Sequence, residues 1–172
     1  MDDEALAIVN PRAANGRVGK HLAPIREGIR REFPRARIAL TEHPGHATEL
    51  ARGALQAGTR DIVSVGGDGT HNEVANGFFS GKQPTHPSTR LYVVSFGTGA
   101  DYGRSLAIPR GLDGLDGLRN RTPRLVDVGC VTYGLPGAGE SVRYFVNVAD
   151  FGAGGEVVRR VNAPSKFFGG FL

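Results

Sequence analysis

Val65-Gly66-Gly67-Asp68-Gly69-Thr70-His71-Asn72-Glu73-Val74 is the stretch on which the reading of this chain turns. The apolar run Asp61-Ile62-Val63-Ser64-Val65 leads into it and reads as a strand. A helical pattern over residues 72–79 leads out. Three glycines, a carboxylate and a hydroxyl therefore stand at the carboxyl end of a strand, where a helix begins. Glycines there let backbone N–H groups close on an anion, and the helix N-terminus adds the positive end of a dipole. Asp68 would repel a bare phosphate. A cation between the two removes the conflict, so the loop points to a nucleoside triphosphate with Mg²⁺.

The same strand-then-helix alternation extends on both sides. Ala5-Leu6-Ala7-Ile8-Val9 reads as a buried first strand, and residues 18–33 as a helix stopped by Pro34. Residues 37–40 form a second strand and residues 46–57 a helix ended by Gly58. After residues 72–79 comes a loop rich in Pro, Ser and Thr over residues 81–89, then a fourth strand over residues 91–95. This alternation predicts an α/β domain, a Rossmann-like parallel sheet with helices on both faces, over residues 1–122. In such a sheet the loops after each strand gather at one edge, where ligands bind.

The pattern changes near Pro123. Two β-rich runs, residues 124–132 and 141–149, flank the turn-rich Tyr133-Gly134-Leu135-Pro136-Gly137-Ala138-Gly139-Glu140. They predict a hairpin opening a second, β-rich domain over residues 123–172. Residues 156–161 suggest a helix. The chain then ends Phe167-Phe168-Gly169-Gly170-Phe171-Leu172, an apolar terminus expected of a polypeptide cut within that domain.

Composition narrows the function classes. The 21 Lys and Arg against 17 Asp and Glu give a net charge of +4, and the basic residues are scattered rather than clustered. That argues against a nucleic-acid surface, while a mildly basic face suits anionic headgroups. No apolar run approaches the ~20 residues of a membrane-spanning helix. The start Asp2-Asp3-Glu4 has the wrong charge for a signal peptide. The histidines show no metal spacing, and the single Cys130, in a strand-like run, reads as buried and inert. All this fits a cytoplasmic protein, with a peripheral place at the inner membrane surface open to it.

Three more loops follow the other strands. Asn10-Pro11-Arg12-Ala13-Ala14-Asn15-Gly16 follows the first, and read alone it is a surface turn. Gly16-Arg17-Val18-Gly19-Lys20-His21 lacks the spacing of a P-loop. Thr41-Glu42-His43-Pro44-Gly45-His46-Ala47-Thr48-Glu49-Leu50-Ala51 follows the second; Gly45 makes the turn, and His46 opens the helix in a capping or packing role. Phe96-Gly97-Thr98-Gly99-Ala100-Asp101-Tyr102-Gly103-Arg104 follows the fourth. Its glycines make only a weak dinucleotide fingerprint, without the first-strand position or the distal acid.

Together these motifs resemble the diacylglycerol kinase catalytic domain family, the bacterial diacylglycerol and sphingosine-type lipid kinases of the NAD kinase superfamily. Gly66-Gly67-Asp68-Gly69-Thr70 is shared across that superfamily, and Asn72-Glu73-Val74 looks like its lipid kinase branch. Thr41, Gly45-His46-Ala47 and Glu49-Leu50-Ala51 match the family closely. The segment from Gly97 matches a family Gly-Thr-x-Asn-Asp-Phe-Ala-Arg, with Ala100, Tyr102 and Gly103 replacing the Asn, Phe and Ala.

The resemblance implies ATP and Mg²⁺ as cofactors and a lipid alcohol such as diacylglycerol, met at the membrane surface, as acceptor. It implies nucleotide contacts from Asn10, Thr41, Gly66, Gly67, Asp68, Gly69, Thr70, Asn72 and Thr98. Asp68 would organise Mg²⁺, directly or through water, with Asp101 and Asp127 as further catalytic residues. The family's general base, a Glu, is expected beyond Leu172. Two other readings stay open: an NAD-kinase-like enzyme, and a nucleotide-binding module without catalysis, to which Ala100 in place of the Asn lends weight. A homodimer is also open.

Overall fold

The computed structural model describes residues 5–81, 83–97, 100–135 and 139–147. In chain order they form β1 (Leu6–Val9), α1 (Arg17–Lys20), α2 (Leu22–Glu32), β2 (Arg37–Leu40), α3 (His46–Gln56), β3 (Asp61–Gly66) and α4 (Asp68–Gly77). There follow β4 (Phe79–Ser80), β5 (Gln83–Pro84), β6 (Arg90–Ser95), α5 (Asp101–Ser105), 3₁₀ turns at Gly111–Leu115 and Leu118–Asn120, and the hairpin β7 (Gly129–Leu135) and β8 (Gly139–Phe145). The expected Thr98 and the expected helix at 156–161 lie outside the described residues.

β1, β2, β3 and β6 form one parallel sheet in the order β2-β1-β3-β6. Parallel strands covered on both faces are apolar throughout rather than alternating, and β3 is buried along its whole length. The pleat sends alternate side chains to two separate cores. Ala7, Val9, Val63, Val65 and Val94 face Ile25 and Ile29 of α2, its C-cap Phe33, and Leu115 and Leu118 of the 3₁₀ turns. Leu6, Ile8 and Ile62 face Ala47, Ala51 and Leu55 of α3 and Val74 of α4. Each fully buried Ile, Leu or Phe contributes roughly 1.5–3 kcal/mol. The expected α/β sheet with helices on both faces is what forms.

Several boundaries differ from expectation, each for a local reason. The helix expected over 18–33 breaks at His21 (φ −110°, ψ 19°). Pro24 would clash with the carbonyl of residue 20 in a continuous helix, so it sits in the first turn of α2 instead. α4 starts at Asp68, four residues ahead of Asn72, because Gly67 caps it: the Thr70 and His71 N–H groups donate to Gly67 O at 2.9 and 3.1 Å. Gly69 and Thr70 therefore lie in its first turn. Gly77 ends it where α3 crosses closely; a Cβ there would lie 2.6 Å from Ala51 Cβ.

The hairpin is antiparallel, pairing Cys130 with Tyr144 and Tyr133 with Ser141. It starts and ends elsewhere than expected, since residues 124–128 join no strand and β7 runs on to Leu135. Cys130 is exposed, not buried, because among the described residues β7 has only β8 as a partner strand.

Candidate functional site

The sheet has one switch point. After β1 the chain goes to α2 on one face, and after β3 to α4 on the other. A crevice opens between the two connections at the carboxyl ends of β1 and β3. The register puts every strand-ending loop at this edge: Val9 stands opposite both Leu40 and Val65, and Gly66 opposite Ser95. Backbone bonds carry the ladder one step further, with Asn10 N donating to Val65 O (3.0 Å), Thr41 N to Val9 O (2.9 Å) and Phe96 N to Gly66 O (2.6 Å). Asn10, Thr41, Gly66 and Gly97 therefore converge, as the strand-helix alternation predicts.

Asn10 spans the crevice. Its Nδ2 donates to Thr70 Oγ1 at 3.0 Å, and its Oδ1 accepts from Arg12 N at 3.0 Å. Thr70, 5% exposed, can fold back because residue 66 is glycine: a Cβ there would lie 2.5 Å from Thr70 Oγ1. Gly69 differs in kind. A Cβ there would meet nothing within 4 Å, and its φ is not positive, so packing alone does not require glycine. Among the described residues the N–H groups of Asp68 and Gly69 have no acceptor. They are the orphan donors of a helix start, with the positive end of α4 behind them. Such a cradle fits phosphate oxygens.

Asp68 is half-buried and already engaged. Its Oδ2 accepts from Asp101 N and its Oδ1 from Tyr102 N, both at 3.1 Å, so it caps α5 from a different helix. Each oxygen keeps further acceptor capacity, so a Mg²⁺ reached through water fits the carboxylate. Asp101 points its own carboxylate to Arg104 Nη1 at 2.8 Å, exposed to solvent. Ala100, the N-cap of α5, is left-handed (φ 45°, ψ 40°). That conformation strains alanine and is easier for asparagine, which gives a physical reason for the family Asn at this position.

His71 carried no sequence signal of its own. The structure buries it completely, bonded through both ring nitrogens: Nδ1 to Ser64 Oγ on β3 (2.7 Å) and Nε2 to Ser95 Oγ on β6 (3.1 Å). Desolvation lowers its pKa to about 4, against a smaller opposing effect of Asp68. It is neutral at pH 7.

Asn72 and Asn76, one turn apart on α4, face the hairpin. Asn76 pairs with the Tyr144 backbone as a strand would, Nδ2 donating to Tyr144 O (2.7 Å) and Oδ1 accepting from Tyr144 N (2.9 Å). Asn72 Oδ1 accepts from Val146 N at 3.3 Å. Tyr144 stacks on Phe79 (centroids 4.0 Å apart) and its hydroxyl donates to Gly81 O. Asn72 thus holds the hairpin from the end of α4 nearer the crevice. Asp127 lies just before β7, exposed and outside any strand.

Contrary to the expectation that the histidines show no metal spacing, His43, His46 and Glu49, three residues apart around the start of α3, have ligand atoms within 4.8 Å of one another. His46 Nδ1 accepts from Glu42 N at 3.1 Å. Its proton is then on Nε2, which leaves that nitrogen without a lone pair for a metal. The bond ties the start of α3 to the loop after Thr41, while the N-cap of α3 is Gly45, with no side-chain cap.

Comparison with known proteins bears on this edge of the sheet. The chain matches the family described as the diacylglycerol kinase catalytic domain over residues 4–131. It is 34% identical to a diacylglycerol kinase of Staphylococcus aureus (strain bovine RF122 / ET3-1) over 154 residues, covering 82% of this chain and 44% of the relative. Against a diacylglycerol kinase of Bacillus subtilis (strain 168) it is 32% identical over 164 residues, 94% of this chain and 49% of the relative. A solved diacylglycerol kinase structure from Bacillus anthracis str. Sterne superposes with a TM-score of 0.64 at 25% identity, covering 80% of this chain and 47% of that one. The chain thus spans about half the length of the curated relatives it matches. The family match takes in every strand of the parallel sheet and the whole Gly66–Thr70 turn, and on that ground this chain belongs to the diacylglycerol kinase catalytic domain family.

Proposed function

We propose that this chain holds the nucleotide half of an ATP-dependent lipid kinase, which transfers the γ-phosphate to the hydroxyl of a lipid alcohol such as diacylglycerol. The observation that carries the reading is the open cradle at Asp68 and Gly69, two orphan N–H groups at the start of a helix in a diacylglycerol kinase-family fold. ATP supplies the phosphoryl group, and Mg²⁺ offsets its charge. The Gly67–Thr70 turn receives the phosphates, and Asp68 would hold the Mg²⁺ through water while its carboxylate fixes α5. Asn10, Thr41, the amide nitrogen of Asn72, and Thr98 complete the nucleotide contacts. Asp101 and Asp127 serve the same site. The acceptor's general base is a Glu outside this chain.

The domain division at about residue 122 is part of the proposal, with the β7–β8 hairpin opening a lipid-binding domain. The lipid is met at a membrane surface. No helix among the described residues is long and apolar enough to cross a membrane. The 172-residue chain alone binds ATP·Mg²⁺ weakly and turns over no lipid, since placing the acceptor hydroxyl is a large share of phosphoryl transfer.

The test is radiolabelled phosphate transfer from ATP·Mg²⁺ by the full reading frame containing this chain, with diacylglycerol in mixed micelles and NAD as parallel acceptors. Labelled lipid and unlabelled NAD are expected. Transfer to NAD, or nucleotide binding with no transfer to any lipid alcohol, refutes the reading.

A further inference from the structure

Two contacts join α4 to the loop after β6, and they sit on one face of the helix, three residues apart. Asp68 caps the start of α5 through the Asp101 and Tyr102 N–H groups. His71 holds Ser95, the last residue of β6, and reaches Ser64 in the middle of β3 with its other nitrogen. The chain leaves β6 at one of these anchors and enters α5 at the other. Ser95 Oγ is confined from the opposite side as well, since a Cβ on Gly103 of α5 would lie 2.6 Å from it. An imidazole between two buried hydroxyls costs desolvation that a leucine among alanines would avoid. What the polar arrangement adds is a tie: a neutral ring donates through one nitrogen and accepts at the other, either tautomer suits the two hydroxyls, and in both cases Ser64 of β3 and Ser95 of β6 are held to α4.

We propose that His71 is a positioning residue, whose imidazole fixes the end of β6 and the start of α5 against the Gly66–Thr70 turn and so sets the fit of the phosphate cradle without touching the nucleotide. The inference rests on the kinase reading for its ligand, but not for its mechanics. Around the ring stand Ser64 from β3, Ser95 from β6, Tyr102 from α5 (centroids 6.4 Å apart) and Asp68 from the same helix. Among the described residues Asp68 is the charged group that acts on it.

The experiment uses His71→Leu, His71→Gln, and the triple variant Ser64→Ala/His71→Leu/Ser95→Ala, which removes all three polar groups and leaves no orphan hydroxyl. ATP·Mg²⁺ affinity is measured by calorimetry, thermal stability by scanning calorimetry, and amide exchange of Phe96, Asp101 and Tyr102 without ligand by NMR. His71→Leu is expected to weaken ATP·Mg²⁺ about tenfold. The triple variant is expected to regain wild-type stability, since an apolar replacement of the whole network is nearly neutral, yet to keep the weakened affinity and faster exchange at Asp101 and Tyr102. His71→Gln, which retains a bond to Ser95, is expected to recover part of both. Wild-type exchange at these amides in a stable triple variant overturns the inference, whatever nucleotide binds. If the wild type binds no ATP·Mg²⁺, the kinase reading fails, and the exchange measurement still decides the role of His71.

Discussion

Acid should unfold this protein partly through His71, and the amount can be worked from the structure. Burial holds the folded imidazole at a pKa of about 4, against 6.5 for a free histidine. The unfolded chain therefore binds the proton more tightly than the folded one. The contribution of His71 is fully present above pH 6.5 and is lost as the pH falls through the window from 6.5 to 4. Within it the loss approaches about 1.4 kcal/mol per pH unit and totals about 3 kcal/mol. Asp68 favours the charged ring and trims that figure, but desolvation is the larger effect. The assay is urea unfolding of the wild type and of the triple variant Ser64→Ala/His71→Leu/Ser95→Ala between pH 7.5 and 4.5. The other titrating groups are common to both proteins and cancel in the difference. The stability difference should shift in favour of the variant steadily below pH 6.5. A difference that stays flat over that range would show that His71 is not held neutral by burial and that the hydroxyl–imidazole–hydroxyl chain is misread.

Gly66→Ala should destabilise the fold by about 1–3 kcal/mol, because its Cβ would meet the buried Thr70 side chain at 2.5–2.9 Å; Gly69→Ala, opening into space, should leave the urea midpoint nearly unchanged and weaken ATP·Mg²⁺ binding instead. In the full protein Asp68→Ala should cut lipid phosphorylation at least ~10²-fold. It should also cost about 1 kcal/mol of stability through the lost cap on α5, visible as a lowered melting temperature; turnover like wild type would remove Asp68 from the mechanism. Asn76→Ala should cost about 2 kcal/mol by breaking both bonds to Tyr144. Limited proteolysis should then cut within β7–β8 before the parallel sheet, and an unaltered cleavage order would refute Asn76 as the anchor of the hairpin.

Periodicity and punctuation settled the parallel sheet and its loops in advance. Asp61-Ile62-Val63-Ser64-Val65 could only be a strand covered on both sides, and glycines at 66, 67 and 69 after it could only be a turn into a helix. That is local information: each residue's pattern is fixed by its neighbours a few positions away. The family and the convergence of Asn10, Thr41, Gly66 and Gly97 followed from the same motifs, since parallel strands must end at one edge. What the sequence left undecided is what depends on partners far along the chain. Asp68 read as a metal-organising carboxylate, yet in the fold both its oxygens also accept from the start of α5, more than thirty residues away. Asn72 read as a motif continuation and a nucleotide contact, and Asn76 carried no reading; only the arrival of β8 showed both to hold the hairpin. Cys130 looked buried because its neighbours are apolar, but exposure is set by what packs over a strand rather than by the strand itself. His71 was one letter within a motif. Its neutrality comes from complete burial between two strands that are distant in sequence and adjacent in space, and burial of that kind belongs to the tertiary structure alone.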